Sequence, residues 1–285
     1  MPTLQAKQLQ DYRAHTFRTL PRQRVIQRDQ AVEFVEQRGF IYFWPIKDIT
    51  LPSLWVAVAG ERQVADKHDD PGHVTWGWKD ALLGGHEWYY AKVLRKKATM
   101  ISMQVVPYFY ALSENYGAPE EDYLTIYEQG RLTQEAKAVY EAVLDKGPLD
   151  TIALRNESRL SSRESDARFN KALADLQSDF KLVPVAVAQA GAWRYAFVYD
   201  IVARHYPEIP EKARWINEGI ARLELMKHYL RSVGAAQIRD ATKLFRWNTP
   251  QIEQIASDLA QAGFLQRGVE LEDAPGEWLV LAELL

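Results

Sequence analysis

The sequence predicts a mainly α-helical protein with small β-wings, organised as tandem winged-helix domains. Residues 133–199 give three helices followed by two strands, and residues 218–281 repeat this order. In both segments the apolar residues recur at the three- and four-residue spacing of a helix that buries one face. Three helices followed by a hairpin are the element order of a winged helix, a fold that binds duplex nucleic acid or protein.

The composition is that of an ordinary globular chain. Its 285 residues suffice for two or three small domains, and we predict domains at residues 1–120, 121–210 and 211–285. Hydrophobic residues make up 47% and charged residues 26% of the chain. No apolar run approaches the ~20 residues of a membrane span, and the N-terminus lacks the layout of a signal peptide. We therefore expect a cytoplasmic protein with no membrane partner.

The chain offers little for a metal or a cofactor. It contains no cysteine, which excludes disulfides, thiolate zinc ligands and a cysteine nucleophile. His68, Asp69, Asp70 and His73 are possible ligands, but consecutive residues in a loop with proline and glycine do not place ligands on one face. The sequence also lacks a glycine-rich phosphate loop. We expect neither a metal nor a cofactor.

The charge distribution restricts where a nucleic acid could bind. The net charge is −3 and the pI is about 6.1, so the molecule as a whole does not resemble a polyanion-binding protein. However, residues 1–28 carry six cations, including Arg22 and Arg24, against one acidic residue. Arg95, Lys96 and Lys97 form a second basic cluster. These clusters indicate either a DNA-binding surface in the first two thirds of the chain or a solvated basic surface.

The first segment combines winged-helix order with cations. Thr133 is the expected N-cap of its first helix, and Ser161 and Glu164 have the spacing of a capping box at the start of its third helix. Strands are predicted at residues 182–187 and 193–199. The candidate nucleic-acid-binding residues on and just before the third helix are Arg159, Arg163, Arg168 and Lys171. The alternative is a surface helix stabilised by charge pairs, because acidic residues share the same stretch.

The second segment lacks cations on the corresponding surface. Thr249 is the expected N-cap of its third helix, with Pro250 as the first helical residue. The exposed positions that follow are Gln251, Glu253, Gln254, Ser257 and Asp258. Because none of them can neutralise phosphate, this segment suits protein packing or formation of a homodimer better than DNA binding.

Aromatic side chains dominate the N-terminal half. Residues 40–45 are nearly all aromatic or apolar, and residues 71–90 interleave tryptophan and tyrosine with His, Lys and Asp. Exposed aromatics beside cations suit unstacked or flipped bases. The alternative is that these side chains build a core, which is the more common role of any single aromatic residue.

Residues 195–207 and 232–247 are the stretches that most resemble the AlkZ-like (YcaQ-type) winged-helix DNA glycosylases, and the order of elements extends the resemblance over the whole chain. The resemblance implies a further winged helix at about residues 28–110. It also implies double-stranded DNA as the partner, with a modified base, and a function on alkylated or crosslinked DNA.

The resemblance breaks down at the catalytic motif. Family enzymes carry Gln-x-Asp or Gln-x-Gln after the helix that here ends at Gly39, and those side chains position the attacking water. Here Tyr42 and Trp44 occupy the two positions. Tryptophan has no acceptor, and tyrosine titrates near 10, so neither is a carboxylate-like base. Asp48 and Asp69 are then the candidate bases, beside Asp70 and Glu36.

Three hypotheses follow. The first is a DNA-binding member of this superfamily in which glycosylase catalysis is altered or lost. The second is an active glycosylase that uses a different base. The third is a regulatory or structural winged-helix protein that binds a protein or dimerises through the acidic C-terminal segment. We rank them in this order.

Overall fold

The computed structural model describes residues 2–67, 69–191 and 194–285. The chain is mainly helical with small sheets, as predicted. The helices are α1 (Ala6–Thr16), α2 (Arg28–Arg38), α3 (Leu54–Ala59), α4 (Val74–Ala81), α5 (Val106–Tyr110), α6 (Pro119–Glu128), α7 (Gln134–Lys146), α8 (Thr151–Glu157), α9 (Asp166–Ser178), α10 (Val202–His205), α11 (Glu208–Ala213), α12 (Glu218–Val233), α13 (Ile238–Phe245) and α14 (Thr249–Gln261). The strands are β1 (Thr3–Leu4), β2 (Phe40–Tyr42), β3 (Tyr89–Lys92), β4 (Ala98–Ile101), β5 (Leu149–Asp150), β6 (Leu182–Ala188), β7 (Ala196–Ile201), β8 (Ala235–Ala236), β9 (Leu265–Leu271) and β10 (Ala274–Leu281). Within the described ranges, no helix has both the length and the apolar character needed to cross a lipid bilayer.

The backbone contacts divide the chain into two compact units. Unit 1 comprises Met1–Trp78, Met100–Ser102 and Arg222–Leu285, and unit 2 comprises Lys79–Thr99 and Met103–Ala221.

Unit 2 contains the first of the two repeated segments. Its elements follow the order α7, β5, α8, α9, β6, β7, and its antiparallel sheet has the strand order β5–β7–β6. Buried apolar side chains from all three helices and from the sheet form one core, which includes Val139, Leu154, Phe169, Leu176 and Tyr199. The second strand had been predicted to begin at residue 193. Residues 192 and 193 lie outside the described residues, and the described strand begins at Ala196.

Most of the second segment belongs to unit 1. Its elements follow the order α12, β8, α13, α14, β9, β10, and its strands occur in the order β8–β10–β9, with β1 added in parallel at the edge of β9. Helix α1 is tied to the same unit, because Arg13 Nη2 donates to the carbonyl of Ala235 at 2.8 Å and Thr16 Oγ1 donates to that of Ser232 at 2.7 Å. Burial lowers the pKa of Arg13.

The helix starts agree with the sequence in one of three cases. Thr133 caps α7 as predicted, since its Oγ1 accepts from the backbone N–H of Ala136 at 3.2 Å. The prediction for α9 was wrong: a 3₁₀ turn at Arg163–Ser165 precedes the helix, and Ser165 is the N-cap, with no side-chain capping bond. Ser161 Oγ instead donates to the carbonyl of Arg155 at 3.3 Å and to Asn156 Oδ1 at 2.8 Å. For α14 the prediction was one residue late, because Asn248 is the N-cap and forms a reciprocal capping box with Gln251.

Candidate nucleic-acid interface

Two of the predicted basic clusters meet on one surface of unit 2. The 3₁₀ helix Leu94–Lys96 packs against α9, where the ammonium groups of Lys96 and Lys171 both donate to the carboxylate of Asp175. The Lys171 ion pair spans 2.6 Å. The side chain of Lys96 remains 40% exposed and that of Lys171 remains 64% exposed, while that of Asp175 is only 15% exposed. The cluster therefore carries a net positive charge, and both of its ammonium groups are accessible to solvent.

The electrostatics of Asp175 keep this arrangement charged. Burial raises the pKa of the Asp175 carboxyl, but the hydrogen bonds and the charges of Lys171 and Lys96 together lower it by more, so the pKa lies below its ordinary value. Asp175 is therefore ionised at neutral pH and holds both ammonium groups in place.

A buried amide fixes the segment that carries Lys96. The side chain of Gln177, only 2% exposed, accepts from the backbone N–H of Lys92 at 3.1 Å through Oε1 and donates to the carbonyl of Leu173 at 3.0 Å. These bonds attach the end of β3 to α9. Arg95 and Lys96 then adopt left-handed φ values of 56° and 55°, which reverse the chain and place Lys96 over α9.

The other predicted cations of unit 2 lie nearby in sequence. Arg168, three residues before Lys171 and therefore on the same side of α9, pairs with Glu135 at 3.1 Å and stays 60% exposed. Arg159, Arg163 and Lys97 are exposed, and in the described part of the chain they form no ion pair. We use the name basic face for Lys96, Arg168 and Lys171.

Arg22 and Arg24 belong to unit 1. They line a polar cleft of about 340 Å³ together with His15, Arg18, Gln23 and Gln30. The backbone N–H of Val25 donates to the carbonyl of Ala57 at 2.9 Å, which ties this segment to α3.

Tyr42 and Trp44, the residues at the family's catalytic positions, differ in accessibility. Tyr42 is fully buried in β2, whereas Trp44 is partly exposed. Trp44 lies in an aromatic cluster in which its ring centroid is 5.4 Å from that of Trp55, 6.0 Å from that of His73 and 6.1 Å from that of Trp76. The cluster reaches the surface at Trp76, which is 39% exposed.

The candidate carboxylates occupy different environments. Asp48 and Asp69 are exposed, and the backbone at Asp48 is left-handed, with φ 59°. Asp70 is held by two N–H groups of Arg62 and by the backbone N–H of Gly72 at 2.7 Å. The Arg62 hydrogen bonds are the main reason that the pKa of Asp70 is lowered. Arg62 in turn lies over the ring of Trp55, 4.8 Å from its centroid.

The structure reveals two buried amines that no sequence pattern indicates. Lys79 in unit 2 lies among Tyr90, Tyr195 and Phe197, and its Nζ is 2.6 Å from the carboxylate of Asp80. Burial lowers its pKa.

Lys181, also in unit 2, is only 3% exposed and donates to Asn115 Oδ1 at 2.8 Å and to the carbonyl of Glu114 at 3.2 Å. Burial lowers the pKa of Lys181 to about 8. The burial of each lysine arises from contacts between distant segments, so no local pattern indicates it.

The loop considered as a metal site shows no such geometry where it is described. His68 lies outside the described residues, and the carboxylate of Asp70 is engaged by Arg62. Over residues 2–67, 69–191 and 194–285, no group of three His, Asp or Glu side chains is placed to hold a metal ion.

Comparison with known proteins supports the resemblance seen in the sequence. The family model described as "AlkZ related" matches residues 25–246 of this chain. The DNA glycosylase AlkZ of Streptomyces sahachiroi has a similar fold, with a TM-score of 0.61 at 15% sequence identity, over 99% of this chain and 71% of the other. Among curated proteins, none matches the sequence. Because the family model covers well over half of its length, the chain belongs to the AlkZ-related family.

Proposed function

We propose that this protein is a DNA-binding member of the AlkZ-related family, built from tandem winged helices, in which α9 faces the duplex. The observation that carries the proposal is the pairing of Lys96 and Lys171 around one carboxylate. A duplex presents regularly spaced phosphates, and exposed lysines that lie together on one surface can neutralise them. The three-domain division and the cytoplasmic location stay predictions.

The first segment supports the winged-helix interpretation through its connectivity. A strand between the first and second helices joins a hairpin that follows the third helix, and this strand lies at the edge of β7. In winged-helix proteins the third helix is the one presented to the major groove. The third helix here, α9, carries Arg168 and Lys171 of the basic face and packs against the 3₁₀ helix that carries Lys96.

We further propose that the protein does not hydrolyse glycosidic bonds through the family's motif. Tyr42 is buried and Trp44 has no acceptor, so neither position supplies a group that can activate water. The partly exposed Trp44 and Trp76 are instead suited to stack on a modified base displaced from the duplex. Asp48 and Asp69 remain the candidate bases if base release occurs.

Salt-dependent DNA binding tests the main proposal. Fluorescence anisotropy of a labelled duplex, measured at several salt concentrations, gives the number of phosphates neutralised. For the double variant Lys96→Gln/Lys171→Gln, the slope of log K against log salt should become shallower by about 2, since each phosphate contact contributes ~0.9. Lys146→Gln is the matched control, because Lys146 is a lysine of the same unit that pairs with Glu157.

Two results would contradict the proposal. One is that the wild-type protein does not bind the duplex at low salt. The other is that Lys146→Gln lowers the slope of log K against log salt as much as the double variant does. Light scattering after size exclusion distinguishes the alternative function, because a dimer that forms equally with and without DNA favours a regulatory protein acting through its C-terminal segment.

Base release from alkylated duplex tests the second proposal. We expect purified protein to release no more modified base than buffer alone. If release occurs, Asp48→Asn and Asp69→Asn show whether either carboxylate carries it. Loss of release in one of them would support the hypothesis of an active glycosylase with an altered catalytic base.

A further inference from the structure

The arginines of the N-terminal segment form a discrete cleft in unit 1. Its side chains come from the end of α1, from the 3₁₀ helix Pro21–Gln23 and from the start of α2. The lining residues are His15, Arg18, Arg22, Gln23, Arg24 and Gln30. All six are polar or basic, and this described lining contains no carboxylate. We use the name arginine cleft for this site.

Arg24 is the best-fixed cation of the arginine cleft. Its guanidinium lies directly on the backbone of Gly60, where an added Cβ would come within 2.4 Å of Arg24 Nη2. Gly60 has a φ of +80°, so glycine is favoured at this position both by its conformation and by the approach of Arg24. The hydrogen bond from Val25 to Ala57 holds the adjacent backbone. The guanidinium is therefore preorganised.

Two polar atoms of the arginine cleft are buried without a hydrogen-bond partner in the described structure. They are Arg24 Nε and Gln23 Oε1. Burying a guanidinium N–H costs free energy unless it donates a hydrogen bond to an acceptor. An anionic acceptor forms the strongest such bond. Gln23 Nε2 lies 2.7 Å from His15 Nδ1. A 180° rotation of the Gln23 amide would exchange Oε1 and Nε2, so that a donor replaces the buried acceptor and the hydrogen bond to the His15 imidazole is kept.

The other two arginines of the cleft add positive charge and leave it open to solvent. Arg18 lies over the ring of Phe34 and donates to Gln37 at 3.1 Å, while its nearest carboxylate oxygen, on Glu33, is 3.9 Å away. Arg22 is exposed at the rim. Gln30 uses its carbonyl oxygen to accept from the backbone N–H of Ile26 at 2.9 Å, which leaves its amide N–H groups as donors. The cleft thus combines three guanidiniums with neutral donors.

We infer that the arginine cleft is a binding site for one phosphate group, with Arg24 as its anchoring donor. Planar guanidinium groups match the oxygens of a phosphate, and the cleft is large enough to admit a phosphoryl group. The phosphate can come from a DNA backbone or from a terminal or free phosphomonoester. The DNA case rests on the proposed function, whereas binding of free phosphate does not.

Nuclear magnetic resonance of the arginine Nε–Hε groups tests the inference directly. The probe is inorganic phosphate, with sodium chloride at the same ionic strength as the reference. We expect a saturable downfield shift of the Arg24 Hε signal and an affinity for phosphate at least about tenfold lower in Arg24→Gln. Arg28→Gln is the matched control, because Arg28 is an exposed arginine of the same basic segment that does not line the cleft.

Arg22→Gln is a second variant that tests the site without the risk of a folding defect, because Arg22 is exposed. We expect it to weaken phosphate binding and to leave the thermal unfolding temperature unchanged. A shift of Arg24 Hε that is linear in phosphate and equal to that in chloride would overturn the inference. So would an equal loss of affinity in Arg28→Gln.

A second arm identifies the source of the phosphate. If the site binds the DNA backbone, an unphosphorylated duplex should shift Arg24 Hε, and Arg24→Gln should lower the salt slope of duplex binding by about 1. If the site binds a monoester, a deoxynucleoside 5′-monophosphate should shift the signal and the unphosphorylated duplex should not. If the wild-type protein binds no duplex but phosphate still shifts Arg24 Hε saturably, the proposed function fails and this site stands. If the duplex binds but phosphate gives no saturable shift, this site fails and the proposed function stands.

Discussion

Helices α9 and α14, the third helices of the two repeated segments, have the same length and the same buried positions. Each spans 13 residues. The fourth, seventh, eighth and eleventh residues are buried in both, as Phe169, Ala172, Leu173 and Leu176 in α9 and as Ile252, Ile255, Ala256 and Leu259 in α14. The order of large and small residues is reversed at the two middle positions. The two cores therefore preserve the register of the helix but not the individual side chains.

The exposed positions show where the helices differ. Arg168 and Lys171 correspond to Gln251 and Gln254. Lys171 donates to Asp175 at 2.6 Å, and Gln254 donates to Asp258 at 2.9 Å, so the same bond is made by a cation in one helix and by a neutral amide in the other. The fold thus requires the buried register, whereas the charge of the exposed face is free to specify function.

The turns after the two helices match as closely as the helices. Phe180 and Gly263 both adopt left-handed φ, at 54° and 68°, and the next residue donates from its backbone N–H to the carbonyl of the buried leucine at 2.9 Å in each case. That next residue is Lys181 in the first segment and Phe264 in the second. A buried amine thus replaces an aromatic ring at an equivalent position.

The equivalence of the two cores gives the largest expected effect. Leu176→Ala and Leu259→Ala should each lower the free energy of unfolding by about 2–5 kcal/mol, because both leucines are 0% exposed and their removal leaves a cavity. Urea unfolding combined with amide hydrogen exchange in each segment measures the two costs. Leu124→Ala, at a residue that is 36% exposed, is the control and should cost far less. A cost below ~1 kcal/mol in only one segment would break the structural equivalence.

The difference between Lys181 and Phe264 predicts a pH dependence of stability. Below pH 8 Lys181 is charged in both the folded and the unfolded protein, and its burial penalty is fully present. Between about pH 8, its pKa in the folded protein, and 10.5, the ordinary pKa of a lysine, only the unfolded chain holds the proton, so stability rises with pH. The total rise attributable to Lys181 is about 3 kcal/mol.

Unfolding curves of the wild type and of Lys181→Met over this range isolate the effect. Buried tyrosines titrate similarly in both proteins and cancel in the difference. The orphaned Asn115 and Glu114 oxygens add only a constant offset. Parallel curves from pH 7 to 10 would mean that Lys181 is not desolvated in solution.

The exposed difference between α9 and α14 predicts a change in DNA affinity. Arg168→Gln/Lys171→Gln gives α9 the polar face of α14 and should weaken duplex binding about tenfold or more at moderate salt, since two phosphate contacts are lost. The reciprocal variant Gln251→Arg/Gln254→Lys should increase affinity by less. Anisotropy titrations compare the two. An equal and opposite gain in α14 would show that both segments face the duplex.

Much of the fold could be predicted because it depends on local patterns. Apolar spacing located α7, α9, α12 and α14, and it identified the buried face of α14 and most of that of α9. Ala167, which the spacing places on the apolar side of α9, is exposed. The helix starts were less predictable. The Ser161–Glu164 spacing matches a capping box, yet the chain instead forms a 3₁₀ turn in which Ser165 Oγ donates to the carbonyl of Ser162 at 2.6 Å.

The candidate site was predicted only as separate pieces. Lys96 and Lys171 are 75 residues apart in sequence, and their meeting depends on Gln177, a buried polar residue that sequence spacing assigns to no role. The arginine cleft depends equally on a long-range contact, that of Arg24 with Gly60. Such sites arise from packing between segments, whereas helix periodicity reports only on the face that one helix buries.

The different helix starts give the smallest predicted effect. Asn248 Oδ1 accepts from the backbone N–H of Gln251 at 2.9 Å, so Asn248→Ala should cost about 1 kcal/mol of unfolding free energy and Asn248→Asp should retain most of it. Among the described residues, the hydroxyl of Ser165, at 3.3 Å, is the one partner of Ser162 Oγ, so Ser162→Ala should change stability by less than ~0.5 kcal/mol. Urea unfolding of the three variants resolves these differences. A cost of Ser162→Ala equal to that of Asn248→Ala would mean that Ser162 caps the turn leading into α9 in solution, with a bond that the structure does not show.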